Sequence, residues 1–362
     1  MKTPFQQTAS HQVCDSRRRA ETLSLVNLAV IGCGHWGPKH VRVFSELPGS
    51  NVLAVADSHT EHLARIEKSI PHLVCLPNYL DVLGDARVSA VVVATPTHTH
   101  FPIVRDALAA GKHVLCEKPL CELSADASAL VALAARRRRV LMVGHTFLFD
   151  PGVVALKELL KTGQLGSIRY LSANRTNLGP IRTDVNAAGD LATHDIAIFN
   201  FLLDSEPQLV SASGACFLRK GIEDVVSIVL RYPGHVLATL HASWLHPRKT
   251  RQIAVVGTHR MATWDGLDPE NPLVLYDKGA SAEVDSKGRS LPASGSMWDG
   301  EISRPCIVPG EPLKVQAAHF LSRIRKCEFD ELSDGRFALG VVRVLEAIGD
   351  SIKANGSPVA VR

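Results

Sequence analysis

The sequence LVNLAVIGCGHWG, residues 25–37, decides the fold of this chain. Its first seven residues are nearly all apolar, which is typical of a buried parallel strand. Gly32, Gly34 and Gly37 then have the spacing at which a strand turns tightly into a helix and leaves room for a pyrophosphate beside the backbone. We therefore predict a dinucleotide-binding Rossmann unit. The residues predicted to contact the cofactor are those of the whole turn: Gly32, Cys33, Gly34, His35, Trp36 and Gly37.

A carboxylate, Asp57, ends the next apolar run, residues 51–56. At that place a carboxylate accepts hydrogen bonds from the adenosine ribose hydroxyls and repels a 2′-phosphate, so the sequence favours NAD over NADP as cofactor. Ser58, the next residue, is also expected to contact the cofactor. NADP stays open as the less favoured cofactor, because the neighbouring His59 is able to meet an extra phosphate.

Strand and helix patterns alternate up to residue 150. Further strands are predicted at 73–75, 88–94, 113–116 and 140–144, and helices are predicted at 78–83, 101–110 and 125–135. Six strands separated by five helices make one doubly wound α/β domain, with predicted bounds 25–150. Residues 1–24 are polar and are predicted to be a flexible extension rather than a signal peptide or an anchor.

Polar residues follow the predicted strands at the edge of the sheet where doubly wound proteins bind their ligands. A proline just past a buried strand starts a loop there. We expect the following residues to contact the cofactor at this edge: Thr95, Pro96, Thr97, His100, Glu117, Lys118 and His145. The histidines near residue 98 lack a third ligand in the sequence, so no metal site is predicted.

Lys118 is the residue of this edge that most needs an explanation, because a buried ammonium is costly unless an anion meets it. Asp190 and His194 lie downstream on a predicted helix, residues 190–199, at a spacing that places them on one face. Removing a hydride from a carbinol carbon requires a base for the hydroxyl proton, and histidine is the usual one. We expect His194 to be the base, Asp190 to orient it or balance its charge, and Lys118 to stabilise the developing alkoxide. Asp195 is expected to contact substrate hydroxyls or a backbone amide.

Composition narrows the class of protein. The chain has 362 residues, 46% hydrophobic and 21% charged, with a net charge of +4, so it reads as an ordinary globular protein and gives no argument for nucleic-acid binding. Eight scattered cysteines without a Cys-x-x-Cys pair indicate a reducing compartment. No run approaches the roughly 18 apolar residues of a membrane span. A cytoplasmic location without membrane contact is therefore predicted.

The second half, residues 151–362, is predicted to be a separate α/β domain that binds the substrate. Its predicted strands are 167–177, 208–217, 225–232, 236–244, 252–257 and 261–264, following a helix at 151–161. Residues 277–310 are rich in Gly, Ser and Pro, so we expect a long surface or partner-contact loop. Two closing helices, 313–326 and 335–354, are expected to pack across the junction between the domains.

Four motifs as a set resemble the Gfo/Idh/MocA oxidoreductases, the family of glucose-fructose oxidoreductase and inositol dehydrogenase. They are Gly32-x-Gly34-x-x-Gly37, Thr95-Pro96-x-x-x-His100, Glu117-Lys118-Pro119 and Asp190-x-x-x-His194-Asp195. The resemblance implies a Rossmann domain followed by an α/β domain on a large, open, mostly antiparallel sheet. It also implies NAD(P)-dependent chemistry at a sugar or cyclitol hydroxyl, with the lysine in the active site and often a cis peptide before its proline.

Residues 175–186 and 243–251 resemble a finer branch, which oxidises C3 of N-acetylamino sugars on a nucleotide or of amino-sugar units in glycoside antibiotics. This resemblance implies NAD-dependent oxidation of an amino sugar to a keto sugar in antibiotic or polysaccharide biosynthesis. Arg182 and Asn186 become candidates for contacting the substrate or the nicotinamide ribose, with an Arg182–Asp184 pair on a loop as the alternative.

Three other functions stay open beside this one. The first is an NADPH-dependent 3-ketosugar reductase, which Asp57 disfavours. The second is a glycoside hydrolase that keeps NAD bound and oxidises C3 transiently. The third is a non-catalytic sensor, which would leave Lys118 and His194 unexplained. The open sheet has a face that needs covering, so a homodimer or homotetramer formed through it is also predicted.

Overall fold

The computed structural model describes residues 24–284, 290–328 and 332–362. The predicted flexible extension, except for residue 24, lies outside these ranges. Within them, no helix combines the length and the apolar character needed to cross a bilayer.

The first sheet has six parallel strands. They are β1 (Val26–Ile31), β2 (Ser50–Ala56), β3 (Val74–Leu76), β4 (Ala90–Val93), β5 (His113–Cys116) and β6 (Leu141–Val143). The helices between them are α1 (Gly37–Glu46), α2 (Thr60–Ser69), α3 (Tyr79–Gly84), α4 (His100–Ala109) and α5 (Ser124–Arg137). The strand order is β3-β2-β1-β4-β5-β6. The order reverses between β1 and β4, and doubly wound sheets bind their ligands at such a point, outside the carboxyl ends of the strands.

The turn after β1 has no space for side chains at two of its glycines. Gly32 has a φ of 96°, and a Cβ there would lie 2.6 Å from the backbone of Ala94. A Cβ on Gly37 would overlap the carbonyl oxygen of Gly32. The predicted Rossmann unit is therefore present with the tight turn that its glycines require.

In the described part of the chain the second sheet has nine strands, and all neighbouring pairs are antiparallel except β7 with β10. The strands are β7 (Ile168–Leu178), β8 (Leu209–Ala215), β9 (Val225–Arg231), β10 (Leu237–Ser243), β11 (Leu245–Gly257), β12 (Met261–Asp265), β13 (Leu273–Val284), β14 (Ser290–Ser303) and β15 (Val359–Ala360). Their order is β14-β13-β12-β11-β7-β10-β9-β8-β15. One face packs against α6 (Pro151–Lys161), α7 (Thr193–Leu203) and α9 (Gly335–Lys353). The other face carries partly exposed Ser and Thr side chains, so the sheet is open on that side, as predicted.

The expectation of a long loop at 277–310 was wrong. Most of this stretch belongs to β13 and β14, which pair with each other at one edge of the second sheet. Its glycines are compatible with a strand because Gly279 lies against the ring of Trp298, which leaves no room for a Cβ. In a strand, a glycine often marks such a close approach.

The closing helices connect the two sheets, as predicted. Helix α9 contacts α5 of the first unit and β8 of the second sheet. Just before α9, the Ser333 hydroxyl donates to the carbonyl oxygen of Val143, in β6, at 2.7 Å. Helix α8 (Pro312–Lys326) packs on α1, where Lys314 and Glu46 form an ion pair at 2.8 Å.

Candidate active site

Asp57 lies at the carboxyl end of β2, with its carboxylate turned toward the glycine turn. The backbone N–H of Cys33 donates to Oδ2 at 2.6 Å, and the N–H of His59 donates to Oδ1 at 2.8 Å. Burial alone would raise the pKa of Asp57, but these hydrogen bonds hold it below its ordinary value. Asp57, the residue predicted to bind the ribose, is therefore ionised and lies beside the glycine turn. Ser58 next to it is exposed.

His59 and His62 also approach this carboxylate, with Nδ1 at 3.2 and 3.0 Å from its oxygens. The ligand atoms of the three residues lie within 4.8 Å of one another, which is compatible with a metal ion. No pattern in the sequence indicated this cluster. Because Asp57 stands where Rossmann units hold the adenosine ribose, we assign its carboxylate to the cofactor.

The glycine turn offers unused donors to a pyrophosphate. Within the described ranges, the backbone N–H groups of residues 34–36 have no acceptor, and they precede the N-terminus of α1. A Cβ on Gly34 would point into open space. His35 and Trp36 lie at the rim, where the Lys39 ammonium is 2.8 Å from His35 Nε2 and 4.1 Å from the centre of the Trp36 ring. The turn and Asp57 together fit a dinucleotide.

The residues after β4 play two different parts. Thr97 is buried, and its enclosed hydroxyl has no hydrogen-bond partner in the described part of the chain. The Thr95 hydroxyl accepts a hydrogen bond from Thr99 at 2.7 Å, and Pro96 is exposed. His100 differs from its prediction as a cofactor contact. It is buried with its two ring nitrogens 2.8 Å from the Pro119 carbonyl and 2.9 Å from the Thr95 carbonyl, so it braces the backbone.

Glu117 is anchored inside the protein. Its Oε1 lies 2.8 Å from His40 Nε2, and its Oε2 accepts the backbone N–H of Lys118 at 3.3 Å. Burial would raise the pKa of Glu117, but the His40 hydrogen bond and the Lys118 charge hold it below its ordinary value. Glu117 thus fixes the backbone that carries Lys118. His40 was missed from the sequence, although it follows the glycine motif by one helical turn.

Lys118 reaches across to the second half of the chain. The peptide bond between Lys118 and Pro119 is cis, as the family resemblance implied. The side chain is buried, and Nζ donates to the backbone oxygen of Asp190 at 2.7 Å and to its Oδ1 at 3.1 Å. The anion that the sequence required for this ammonium is therefore Asp190.

Asp190 serves Lys118 and not His194, contrary to the prediction. Its carboxylate also accepts from Arg182 Nη1 at 3.2 Å and from the Trp244 indole at 3.1 Å. Burial would raise its pKa, but the charges of Lys118 and Arg182 hold it below its ordinary value. The physical reason for the error is local: residues Ala188–Ala192 form a wide π-type turn, so four-residue spacing does not place side chains on one face as it would in an α-helix.

His194 follows this wide turn on α7 and is partly buried. Its Nδ1 is enclosed and has no hydrogen-bond partner in the ranges that the structure covers. The ring meets Phe147 edge to face at 4.9 Å. Burial lowers the pKa of His194 well below its ordinary value, and the charges of Lys118 and Arg175 lower it further. The imidazole is therefore neutral and able to accept a proton.

Asp195 forms a buried ion pair, although we expected it to contact substrate hydroxyls or a backbone amide. Arg175 donates to its two carboxylate oxygens at 2.7 and 2.9 Å, and both side chains are almost fully buried. The Arg175 guanidinium also lies 4.5 Å from the centre of the Phe147 ring. Neither Arg175 nor Phe147 was predicted. Among possible site residues, Arg175 was marked only by the resemblance of residues 175–186 to a family branch. Phe147 follows a buried strand, and an apolar side chain there gives no indication of a site.

The two candidate substrate ligands are used inside the protein. Arg182 pairs with Asp184, the alternative left open, and also with Asp190. The Asn186 amide donates to Glu223 at 2.6 Å and accepts the backbone N–H of Gly189 at 2.9 Å, so both of its ends are engaged. Asn186 is therefore a weak candidate for substrate contact.

His145, predicted to contact the cofactor, is buried beneath the site. Its Nδ1 lies 2.9 Å from the Ser333 hydroxyl. Since that hydroxyl donates to Val143, the ring must be the donor in this contact. Burial lowers the pKa of His145 to about 3. This histidine is a neutral structural link between β6 and the segment before α9.

The arrangement joins a dinucleotide cradle, a buried ammonium and a neutral imidazole across the two halves of the chain. His194 can take up the proton of a substrate hydroxyl, and Lys118 can donate a hydrogen bond to the alkoxide that forms. These are the groups that alcohol oxidation requires beside a nicotinamide ring.

Comparison with known proteins gives the same picture. Residues 26–145 match the model of an oxidoreductase family with an NAD-binding Rossmann fold, named for Gfo, Idh and MocA, and residues 153–263 match the C-terminal domain of that group. The UDP-N-acetylglucosamine 3-dehydrogenase of Acidithiobacillus ferrooxidans is 30% identical over 252 residues, which are 69% of this chain and 77% of the relative. Its crystal structure superimposes with a TM-score of 0.77 at 25% identity, covering 91% of this chain and 99% of that one.

Two further relatives broaden the comparison. Inositol 2-dehydrogenase 1 of Saccharopolyspora erythraea is 34% identical over 186 residues, and the match covers 50% of this chain and 55% of that enzyme, only about half of its length. A protein of gentamicin A biosynthesis, solved in complex with NAD, has a TM-score of 0.77 over 99% of this chain and 100% of its own. At 23% identity this last likeness concerns the fold alone.

Proposed function

The chain belongs to the Gfo/Idh/MocA family of NAD-binding oxidoreductases, and on that basis we propose that it oxidises a secondary hydroxyl, at C3 of an amino sugar, to a ketone. The observation that carries the proposal is the contact between Lys118 and Asp190 at 2.7 and 3.1 Å. It brings an ammonium from the ligand edge of the first sheet to the turn that begins the helix of His194. We propose the division of labour predicted above, in which residues 25–150 hold NAD and residues 151–362 hold the sugar.

Lys118 and His194 share the handling of one proton. Bound NAD supplies the acceptor for the hydride. As the hydroxyl proton leaves, Lys118 stabilises the oxyanion with a charge-assisted hydrogen bond, and its hydrogen bonds to Asp190 fix the position of Nζ. His194 is a weak base because its surroundings lower its pKa, so it depends on Lys118 to make the hydroxyl more acidic. The pair, rather than either residue alone, carries out the proton transfer.

The substrate class is supported by the match to a UDP-N-acetylglucosamine 3-dehydrogenase. Several inositol 2-dehydrogenases match as well, so cyclitols form the comparison group in the test. Asp57 opposes the 2′-phosphate of NADP and therefore disfavours the NADPH-dependent reductase.

The test is an NAD-reduction assay over nucleotide-linked amino sugars, aminoglycosides and inositols. We expect turnover with an amino sugar and a loss of about 10²- to 10⁴-fold in kcat for Lys118→Ala and His194→Ala, the usual contribution of acid–base groups. Lys161→Ala and His72→Ala change exposed residues of the same types and serve as matched controls. Wild-type turnover by both site variants would refute the assignment. Glycoside cleavage without net NAD reduction would instead favour the NAD-retaining hydrolase.

We also propose that a second copy of the chain covers the open face of the second sheet. Along β7, β9 and β10 this face presents Ser172, Asn174, Ser227, Thr239 and His241, all partly or fully exposed. These side chains are small enough for another sheet to approach closely. A homodimer or homotetramer formed there would cover a face that the helices leave open.

A further inference from the structure

Phe147 lies close to two guanidinium groups, and within the described part of the chain only one of them has a counter-ion. The centre of its ring lies 4.5 Å from the Arg175 guanidinium and 5.3 Å from that of Arg251, on β11. Arg175 is satisfied by the bidentate pair with Asp195. Arg251 is partly buried, and among the residues that the structure describes its side chain has no hydrogen bond or ion pair.

An arginine in this position cannot escape the cost of burial by losing its proton, because a guanidinium stays charged in proteins. Burial and the charge of Arg175 both lower the pKa of Arg251, which shows that its surroundings disfavour the charge. Asp195 opposes the effect but is already committed to Arg175. Asp195 therefore balances the positive charge of only one of the two arginines.

Arg251 and the proposed base, His194, contact the same aromatic side chain. The ring of Phe147 that it contacts also meets His194, at 4.9 Å. The other site cations are paired: Lys118 with Asp190, and Arg182 with Asp184 and Asp190. Arg251 is thus the cation of this group that can accept an anion from outside.

We infer that the substrate is an anionic sugar, whose carboxylate or phosphate group pairs with Arg251 while its carbinol lies between Lys118 and His194. The inference rests on the proposed function and makes its substrate class narrower. A planar guanidinium presents parallel N–H donors that match either group bidentately, whereas a neutral sugar gives it no such partner. The anion has two possible sources, a carboxylate on the sugar ring or the phosphate of a nucleotide-linked sugar.

The binding test uses the NAD-saturated protein, with D-glucuronate, D-glucose 1-phosphate and D-glucose as probes in calorimetric titrations. We expect at least one anionic sugar to bind about 10- to 100-fold more tightly than glucose, and Arg251→Gln to remove that advantage. Arg251→Lys keeps the charge and should retain part of it. Arg248→Gln removes an exposed cation from the same strand and should retain all of it. Preference for glucuronate identifies a carboxylate source, and preference for glucose 1-phosphate identifies a phosphate source.

Equal binding of the three sugars, or an unchanged preference in Arg251→Gln, would overturn the inference. Circular dichroism shows whether Arg251→Gln is folded. If Arg251→Gln fails to fold, sugar binding by Arg251→Lys is compared with that of the wild type. Turnover separates this proposal from the function on which it rests. If no sugar is oxidised but Arg251-dependent binding of an anionic sugar persists, the oxidation is refuted and the anion site stands. If neutral amino sugars are oxidised with an unchanged KM in Arg251→Gln, the anion site is refuted and the oxidation stands.

Discussion

At the scale of single residues, the site is a set of charges balanced in a buried place. Lys118 is tolerated there because Asp190 accepts two of its possible hydrogen bonds. Asp190 in turn pairs with the charge of Arg182 and accepts a hydrogen bond from the uncharged Trp244 indole. His194 stays neutral beside these cations. In the proposed reaction the alcohol gives its proton to the uncharged His194, and the Lys118 ammonium stabilises the oxyanion.

Histidines whose pKa is lowered by burial, among them His145 and His194, predict how stability depends on pH. His145, with a pKa of about 3 in the folded state, and His194, also shifted down, titrate near 6.5 in the unfolded chain. Below pH 6.5 the unfolded state therefore binds more protons, and the free energy of unfolding should fall by about 1.4 kcal/mol per pH unit for each histidine. Urea unfolding between pH 6.5 and 5, above the range of the carboxylates, measures this slope.

His145→Asn should reduce that slope by about 1.4 kcal/mol per pH unit, the contribution of one titrating group. Asparagine does not titrate, and its amide can still donate to Ser333. The exposed His72→Asn serves as the control and should leave the slope unchanged. A slope in His145→Asn equal to that of the wild type would show that this ring is not held neutral.

Asp57 predicts the cofactor preference. Asp57→Ser removes the charge that opposes a 2′-phosphate, so the ratio of kcat/KM for NADP to that for NAD should rise by about tenfold or more. Asp81→Ser, an exposed carboxylate in α3, is the matched control. The account of Asp57 fails if the ratio in Asp57→Ser stays at the wild-type value in steady-state assays with both cofactors.

Residue types at strand ends could be predicted, but their partners could not. Gly32 and Asp57 were predictable because backbone geometry and one carboxylate define a dinucleotide cradle almost by themselves. The roles of His100, Asn186 and Asp190 were not, because each depends on a group far away in the sequence or on a local turn. No spacing rule reports that Asn186 meets Glu223 or that a π-type turn rotates Asp190 away from His194.

At the scale of elements, the second half is held together at the site by the ion pair between β7 and α7. Arg175 and Asp195 are both almost fully buried, and their two hydrogen bonds attach the helix of His194 to the centre of the sheet. A buried pair of this kind contributes little net stability over an apolar pair of similar size, but removing one partner leaves an uncompensated charge.

Arg175→Met should therefore destabilise the protein by about 3–5 kcal/mol, and the double variant Arg175→Met/Asp195→Leu should recover most of that loss. Urea unfolding of the two variants and the wild type measures both effects. Arg105→Met, which breaks an exposed ion pair with Asp106, is the control and should be nearly neutral. Full additivity of the two substitutions in a double-mutant cycle would contradict the pairing.

Elements with a strong period were predictable within a few residues, and irregular ones were not. Helix α6 has the predicted bounds, and the strands of the first sheet lie where apolar runs placed them. Strands β13 and β14 were missed because an edge pair has few buried positions, so its sequence carries serines and glycines that resemble a loop. An edge strand has a weak apolar pattern because much of it is exposed to solvent.

At the scale of the whole molecule, the proposed catalysis depends on two sheets that meet along a shared set of helices. Helix α9 contacts both halves, and the His145–Ser333–Val143 link fixes its start to the first sheet. The position of Lys118 relative to His194 is therefore set by packing between the halves. The order of the nine strands, with β7 and β10 parallel at the centre, could not be read from the sequence because hairpin signals show only which strands are adjacent along the chain.

The open face predicts an oligomer. Sedimentation velocity should give a mass of two or four times 39.1 kDa, and Thr239→Arg, which places a charge in the middle of the face, should lower it to that of one chain. Glu270→Arg, on an exposed turn, should not change the mass. A wild-type monomer, or an assembly that tolerates Thr239→Arg, would move the interface elsewhere.

The central claim is that Lys118 and His194 meet at one carbinol beside the nicotinamide. A crystal structure of the enzyme with NAD and an amino-sugar substrate tests it most directly. The account predicts that the reacting hydroxyl oxygen lies about 2.6–3.2 Å from both Lys118 Nζ and a ring nitrogen of His194, with its carbon facing the nicotinamide. A sugar whose reacting hydroxyl touches neither side chain, or that binds away from the edge where Lys118 meets Asp190, would contradict it.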